Sequence, residues 1–233
     1  MALPVYLAMT AAEISACDQL PKAFAWMACH FSPGTQGLSN LPAVLPPGAM
    51  LILNDREPVQ GHSADLVAHQ LSETVRRLEC ESVLLDFQRP PEETSIAVVE
   101  AVVHELSCPV AVSEGFAAGF QCPVFLSPGP LHVPPKQYLA PWQDREIWLE
   151  AALTQQTIAV TESGAKYASN FPTDHLDGGF YDASLCCNYH THITDSMLEF
   201  TLFDTPQTLL QKLELVQSLG VTRAVGLYQE LET

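Results

Sequence analysis

The chemistry-bearing stretch of the chain is Val83-Leu84-Leu85-Asp86-Phe87-Gln88-Arg89-Pro90, where an apolar run stops at a carboxylate and is followed by an aromatic, an amide, a cation and a proline. Side chains alternate faces along a strand, so Asp86 and Gln88 point the same way. A carboxylate beside an amide can hydrogen-bond and orient a polar ligand. The amide has no transferable proton, so Gln88 is no general acid. A displaced acid would have to come from elsewhere. Asp55 and Glu57 follow the preceding apolar run, Glu114 follows the next one, and Glu150 and Glu162 lie later. Asp86 itself and Glu114 are the catalytic candidates. Each is equally readable as a solvated or ion-paired acid in a chain with 27 acidic residues. Asp86 and Gln88 themselves fit a hydrogen-bonded plug as well as a binding pair.

Other chemistries find less support. Cys186-Cys187-Asn188-Tyr189-His190-Thr191-His192, with Asp195 nearby, gathers metal-ligating types, and His190 and His192 would share a strand face. A lone His-x-His lacks the four-ligand pattern of a structural zinc site, so the pair reads as histidines on an edge strand. There is no Gly-x-Ser-x-Gly elbow and no glycine-rich phosphate loop. Cys29, Cys108 and Cys122 sit in apolar runs, where a small buried thiol is the ordinary role. No cofactor is expected.

The elements that would position these residues alternate between strand and helix patterns. Residues 3–9 read as a strand, 11–20 as a short helix stopped by Pro21, and 22–31 as a second strand. Ser32 to Gly48, rich in Pro, Gly and Ser, reads as a loop where a regular barrel would place a helix. Residues 50–54 form a strand ending in Asn54, Asp55 and Arg56, and Ser63 caps a helix with Val67, Leu71, Val75 and Leu78 on one face. After the strand at 82–87, Thr94 or Ser95 would cap a helix striped by Ile96, Val99, Val103 and Leu106.

Cys108–Val112 and Cys122–Leu126 read as strands too close together for a full crossover helix, and 136–145 as a short helix. Glu146–Leu153 and Thr157–Thr161, joined by Thr154-Gln155-Gln156, predict a hairpin. Residues 163–190 read as an insertion with loops, and 192–203 as extended. The clearest helix follows: Asp204 or Thr205 caps it, Asp204 and Gln207 have capping-box spacing, Leu209, Leu213 and Val216 line one face, and Gly220 stops it. Arg223–Tyr228 is the last strand.

The chain has 233 residues, 47% of them apolar and 16% charged, which suits a buried parallel sheet in a single domain. Its formal charge of −17, with 10 basic residues and no basic cluster, argues against nucleic acid and anionic membranes as partners. No run of about 18 apolar residues suggests a membrane span. The N-terminus lacks the basic flank of a secretory signal, and seven cysteines without framework spacing read as reduced thiols. A cytoplasmic protein is expected on these grounds.

The stretch at 84–90 resembles the fourth-strand signature of the family 18 glycoside hydrolases, the chitinases and their relatives. Asp86 falls on the signature's last Asp, Phe87 on its Trp, Gln88 on the catalytic Glu, Arg89 on its aromatic and Pro90 on its Pro, with Leu84 where another Asp would stand. The C-terminal region is similar to the same family through Phe203-Asp204-Thr205, Thr208, Lys212, Gly220 and Ala224–Tyr228, Tyr228 standing where the family has Trp.

The resemblance implies a compact, irregular (β/α)8 barrel over residues 1–233, with some helices shortened or missing near 32–48 and 113–121, no final helix, and an insertion at about 157–203 before the last helix–strand unit. It implies substrate-assisted hydrolysis in the family: the Glu protonates the leaving oxygen, and the Asp two residues earlier holds the sugar's N-acetyl group. With Gln88 in place of that Glu, the implied function is binding of a carbohydrate or related polar ligand at the C-terminal strand ends without ordinary chitinase turnover. Asn54, Asp55, Asp86, Gln88, Arg89, Glu114 and Tyr228 would form the site. An active hydrolase with a displaced carboxylate and a non-catalytic scaffold are the alternatives. Sheet faces left without helices would need covering, so a homodimer is expected.

Overall fold

Short apolar runs ending in polar residues recur along the chain, and each becomes a strand. In chain order they are β1 (Val5–Met9), β2 (Phe24–Phe31), β3 (Leu38–Ser39), β4 (Met50–Asn54), β5 (Ser82–Asp86), β6 (Val110–Ser113), β7 (Val124–Leu126) and β8 (Ile147–Glu150). Then come β9 (Gln155–Thr161), β10 (Gly164–Asn170), β11 (Phe180–Asp182), β12 (Cys187–Ile193), β13 (Leu198–Phe203) and β14 (Val221–Leu227). The helices are α1 (Ala11–Ala16), α2 (Ala64–Leu78), α3 (Glu93–Glu105), α4 (Glu114–Ala117), α5 (Pro135–Leu139), α6 (Pro206–Ser218) and α7 (Tyr228–Leu231). This computed structural model describes residues 2–162, 164–170 (backbone alone at Ser169 and Asn170), 176, 178–193 and 197–231.

Strands β1, β2, β4, β5, β6, β7, β8 and β14 pair in parallel in that order, and β14 returns to β1 to close an eight-stranded barrel. β3 adds to β2 as an antiparallel stub where the loop reading of 32–48 stood. Closure removes the sheet edges, and the two-residue side-chain period then sorts each strand. Leu51, Leu53, Val83 and Leu85 face outward onto α2 and α3, where Val67, Leu71, Val98 and Val102 complete the main core. Met50, Ile52, Leu84, Phe125 and Trp148 face inward and fill the barrel.

The N-terminal end of the barrel is shut by a polar knot. The Arg223 guanidinium donates to Glu81 Oε1 at 3.0 Å and Ser82 Oγ at 2.9 Å, and lies 4.8 Å over the Trp148 ring. Trp148 Nε1 and Thr222 Oγ1 both donate to Glu146 Oε1, each at 2.8 Å. A half-buried cation and a buried indole are thereby satisfied at the end where such barrels place stability rather than chemistry.

Several local expectations change. α3 starts earlier than Thr94 or Ser95: Glu92 is its cap residue, and Ser95 Oγ accepts from the Glu92 N–H at 2.9 Å from inside the first turn. α6 is capped by Thr205, not Asp204, with Thr205 Oγ1 accepting from Thr208 N at 3.2 Å and Thr208 Oγ1 from Thr205 N at 2.8 Å. No hairpin joins β8 to β9, because both edges of β8 are taken by β7 and β14. The chain instead leaves the barrel there and β9 joins a separate five-stranded antiparallel sheet, ordered β10-β9-β13-β12-β11. The run at 192–203 is not one strand: β12 and β13 pair back to back, with His192 opposite Glu199. A short terminal helix, α7, is present where none was expected. Gly226 lets the barrel close there, since a Cβ would collide with the Ala151 carbonyl and Leu231.

Freed from capping, Asp204 joins the insertion's exit to α6. Its side chain is 1% exposed, and it accepts from Lys212 Nζ at 2.6 and 2.8 Å and from Thr154 Oγ1 at 2.8 Å. Removing the lysine leaves a buried carboxylate without its counter-charge. Lys212→Ala is expected to cost about 3 kcal/mol, lowering Tm by roughly 6–12 °C in a chain of this size. The double variant with Asp204→Ala should recover part of that loss in urea unfolding.

Candidate functional site

At the C-terminal end of the barrel the inward-facing positions turn polar. Asn54 ends β4 and stands in register with Asp86, which ends β5. Glu150 ends β8 in register with Val225 of β14. Together with Gln88, these residues ring a small open cleft whose floor and walls are Met27, Ile52, Leu84, Phe125, Val225 and Leu227. Two carboxyls and two carboxamides thus stand over an apolar barrel interior, with no lysine or arginine in the lining among the described residues.

The loop after β5 is held from outside. Asp55, 5% exposed, accepts from the backbone N–H groups of Gln88 and Arg89, both at 2.9 Å. Ser113 Oγ accepts from Phe87 N at 2.9 Å and donates to the Leu85 carbonyl at 3.2 Å. The Phe87 ring is buried between Phe31 and Phe116, with centroids 5.8 and 5.5 Å away. Odd-numbered residues are anchored behind the barrel wall, which leaves the even-numbered Asp86 and Gln88 in the cleft. There Gln88 Nε2 donates to Asp86 Oδ1. Asn54 is fixed by donating to the Met27 carbonyl at 3.1 Å.

Both cleft carboxyls hold a proton more tightly than in water. Burial raises the Asp86 pKa, the Gln88 amide opposes this, and the Asp55 charge adds to it. Glu150 is pushed up to about 7, first by burial and then by the negative charges of Asp86 and Glu230. Both carboxyls are therefore held above their ordinary range, and near neutral pH Glu150 is partly a carboxylic acid. Tyr138 of α5 feels the same field: burial, Glu114 and Glu150 raise its phenol to about 12.

Asn54, Asp86 and Gln88, expected from sequence, meet in this cleft. Asp55 and Arg89 border a different crevice with Gln60 and Glu92, and the Arg89 guanidinium donates to the Arg56 carbonyl at 2.9 Å. Glu114 is exposed at the start of α4. Tyr228 starts α7, its hydroxyl 3.9 Å from Cys17 Sγ, so Val225 and Leu227 take the place in the lining expected of it. His190 and His192 share one face of β12, where His190 stacks on Phe203 at 5.0 Å. Asp195 lies outside the described residues. Among the described residues no three His, Cys, Asp or Glu side chains gather as a metal site. Glu150 stood in the sequence as one late acid among several. Its signal is the run Ile147-Trp148-Leu149-Glu150, which ends in an acid just as Leu84-Leu85-Asp86 does.

No protein-family model matches the chain, and no curated protein matches it. Solved structures do. The chitinase from Chromobacterium violaceum superimposes with a TM-score of 0.54 at 11% identity, over 97% of this chain and 93% of the chitinase. The spore cortex-lytic enzyme SleL of Bacillus cereus gives 0.52 at 12% identity, over 97% of this chain and 70% of that one. The likeness is one of fold: the chain is an irregular TIM barrel of the type these enzymes share.

The raised Glu150 pKa carries a stability consequence. Between the ordinary value of 4.5 and about 7, the folded chain holds a proton that the unfolded chain has released. Folding is therefore favoured below that window and loses this contribution as pH rises through it. Glu150→Gln, which is neutral throughout, should match the wild type at pH 4.5 and exceed it at pH 8. The expected gain is about 1–2 kcal/mol, a few degrees in Tm, after discounting for partial solvent contact. A Tm difference that does not grow with pH would contradict the assignment.

Proposed function

We propose that the barrel mouth binds a carbohydrate, and that it does so without the ordinary chitinase reaction. The observation that carries this reading is the Asp86–Gln88 pair, fixed side by side in a cleft at the C-terminal strand ends. Such a pair offers a carboxylate acceptor and an amide that both donates and accepts, which matches hydroxyl and N-acetyl groups. Asn54 across the sheet adds a second amide. Phe125 and Leu84 beneath them give the apolar surface on which a sugar's C–H face would rest.

The charge of the lining narrows the ligand. Asp86 and Glu150 repel anions, and no cation in the lining offsets them. Neutral or amino sugars fit, and uronic acids or phosphosugars do not. The fold neighbours named above, a chitinase and a cortex-lytic enzyme, support a glycan over other polar ligands. With an amide at position 88, protonation of a leaving oxygen from that side chain is ruled out on chemical grounds.

Thermal shift with chitooligosaccharides and a panel of other glycans tests the reading. A neutral oligosaccharide should stabilise the wild type. Asp86→Ala should weaken binding by about 10- to 100-fold, the worth of one or two hydrogen bonds to a charged acceptor. Stabilisation by no glycan at all would remove the reading, as would binding that survives Asp86→Ala unchanged.

A further inference from the structure

We propose that Glu150 is the proton donor of a glycoside hydrolysis carried out in this cleft, with Asp86 as the base that activates water. The inference rests on the carbohydrate-binding reading and adds turnover to it. Gln88 removes the acid from the end of β5, yet the barrel supplies another at the same height. β5 and β8 are separated by β6 and β7, so Asp86 and Glu150 stand on different walls of the cleft and flank whatever lies between them.

Their surroundings suit unequal roles. Glu150 sits over the barrel's aromatic filling, with Trp148 two residues earlier on the same inward face and Phe125 in the cleft wall. The charged groups that face it, Asp86 on β5 and Glu230 on α7, are both acidic. That combination keeps a proton on Glu150 near neutrality. Burial raises the Asp86 pKa as well; the hydrogen bond Asp86 accepts from the Gln88 amide opposes that rise and aims its oxygens. Two carboxyls on different walls of one cleft, one carrying a proton near neutrality and the other aimed by an amide, can divide the roles of acid and base.

The Glu150 carboxyl proton passes to the glycosidic oxygen as the C1–O bond breaks, and the bonding pair leaves with the departing alcohol. A water oxygen bonds to C1 and gives its proton to Asp86. Protonated Asp86 and ionised Glu150 then return to their starting states by exchange with solvent. Gln88 and Asn54 are positioning residues in this scheme: one orients Asp86, and the other borders the ligand.

The test uses the purified chain with chitotetraose and cellotetraose, following products by chromatography, and with 2,4-dinitrophenyl glycosides of the same sugars. Expected are hydrolysis of a tetrasaccharide, a rate that falls as pH rises through about 7, and a loss of about 10²- to 10⁴-fold in Glu150→Gln. The dinitrophenolate leaves without a proton, so the same variant should lose far less on the activated substrate. Thermal shift should show that the variant folds and still binds. If the wild type binds oligosaccharides but cleaves none of them, or if Glu150→Gln loses equally on both leaving groups or on neither, the role assigned to Glu150 falls while carbohydrate binding stands. If no sugar binds, both readings fall together.

Discussion

Closure of the barrel by β14 on β1 is the constraint on which the rest of the molecule depends. Once eight parallel strands have no free edge, each side chain's face is set by its parity along the strand. The interior then has two chemically different ends. At one, Arg223 pairs with Glu81 and Ser82 and lies over Trp148, whose indole donates to Glu146. At the other, the inward positions that end β4, β5 and β8 are Asn54, Asp86 and Glu150, and they border a cleft. Closure also explains the excursion between β8 and α6. A strand added after Glu150 has no edge on which to pair, so β9 to β13 build their own sheet and the chain returns to the barrel through the Asp204–Lys212 junction.

Within the mouth, the positions of the polar groups are set from behind. Asp55 was read from sequence as a ligand-facing acid at a strand end. Its parity is opposite to that of Asn54, so it points out of the barrel, and its two oxygens hold the backbone of Gln88 and Arg89. The same parity argument turns Phe87 into the aromatic core behind the wall and Arg89 toward Arg56. A site that must present an amide next to a carboxylate gains from this arrangement, because the backbone carrying Gln88 is fixed by groups that take no part in binding. Asp55 also adds its charge to the field on Asp86.

Much of the architecture was legible in the residues. The strand at 82–86, the amphipathic α2 and α6, the shortened helices and the late insertion each follow from local patterns of apolar spacing, proline and glycine. The cap of α3 was misplaced by two to three residues, because Ser, Thr and Glu crowd that helix start and any of them can cap, whereas Thr205 was among the two caps expected for α6. The supposed hairpin at 146–161 failed for a non-local reason: sequence shows two strand-forming runs and a polar link, but edge availability is a property of the closed sheet. For the site, the Asp86-x-Gln88 pattern was readable because it is local: Asp86 ends β5 and Gln88 follows two residues later. Glu150 was obscured among the chain's acids, since its partnership with Asp86 exists only across the barrel. Tyr228 was placed by analogy with a strand-end aromatic, whereas here the strand stops at Leu227 and the tyrosine turns into α7 toward Cys17.

The relation between Gln88 and Glu150 follows from the same physics. An acid at position 88 would share one strand face with Asp86, so the like charge two residues away would be the main influence on its proton. With an amide there, that influence reverses in sense: Gln88 donates to Asp86 and supports its ionised form. The charge on Asp86 is then felt by the nearest carboxyl across the cleft, which is buried over aromatic side chains and meets a second acid, Glu230. Each factor acts on Glu150 in the same direction, toward retention of its proton. The amide at 88 and the raised proton affinity at 150 are thus two parts of one electrostatic arrangement.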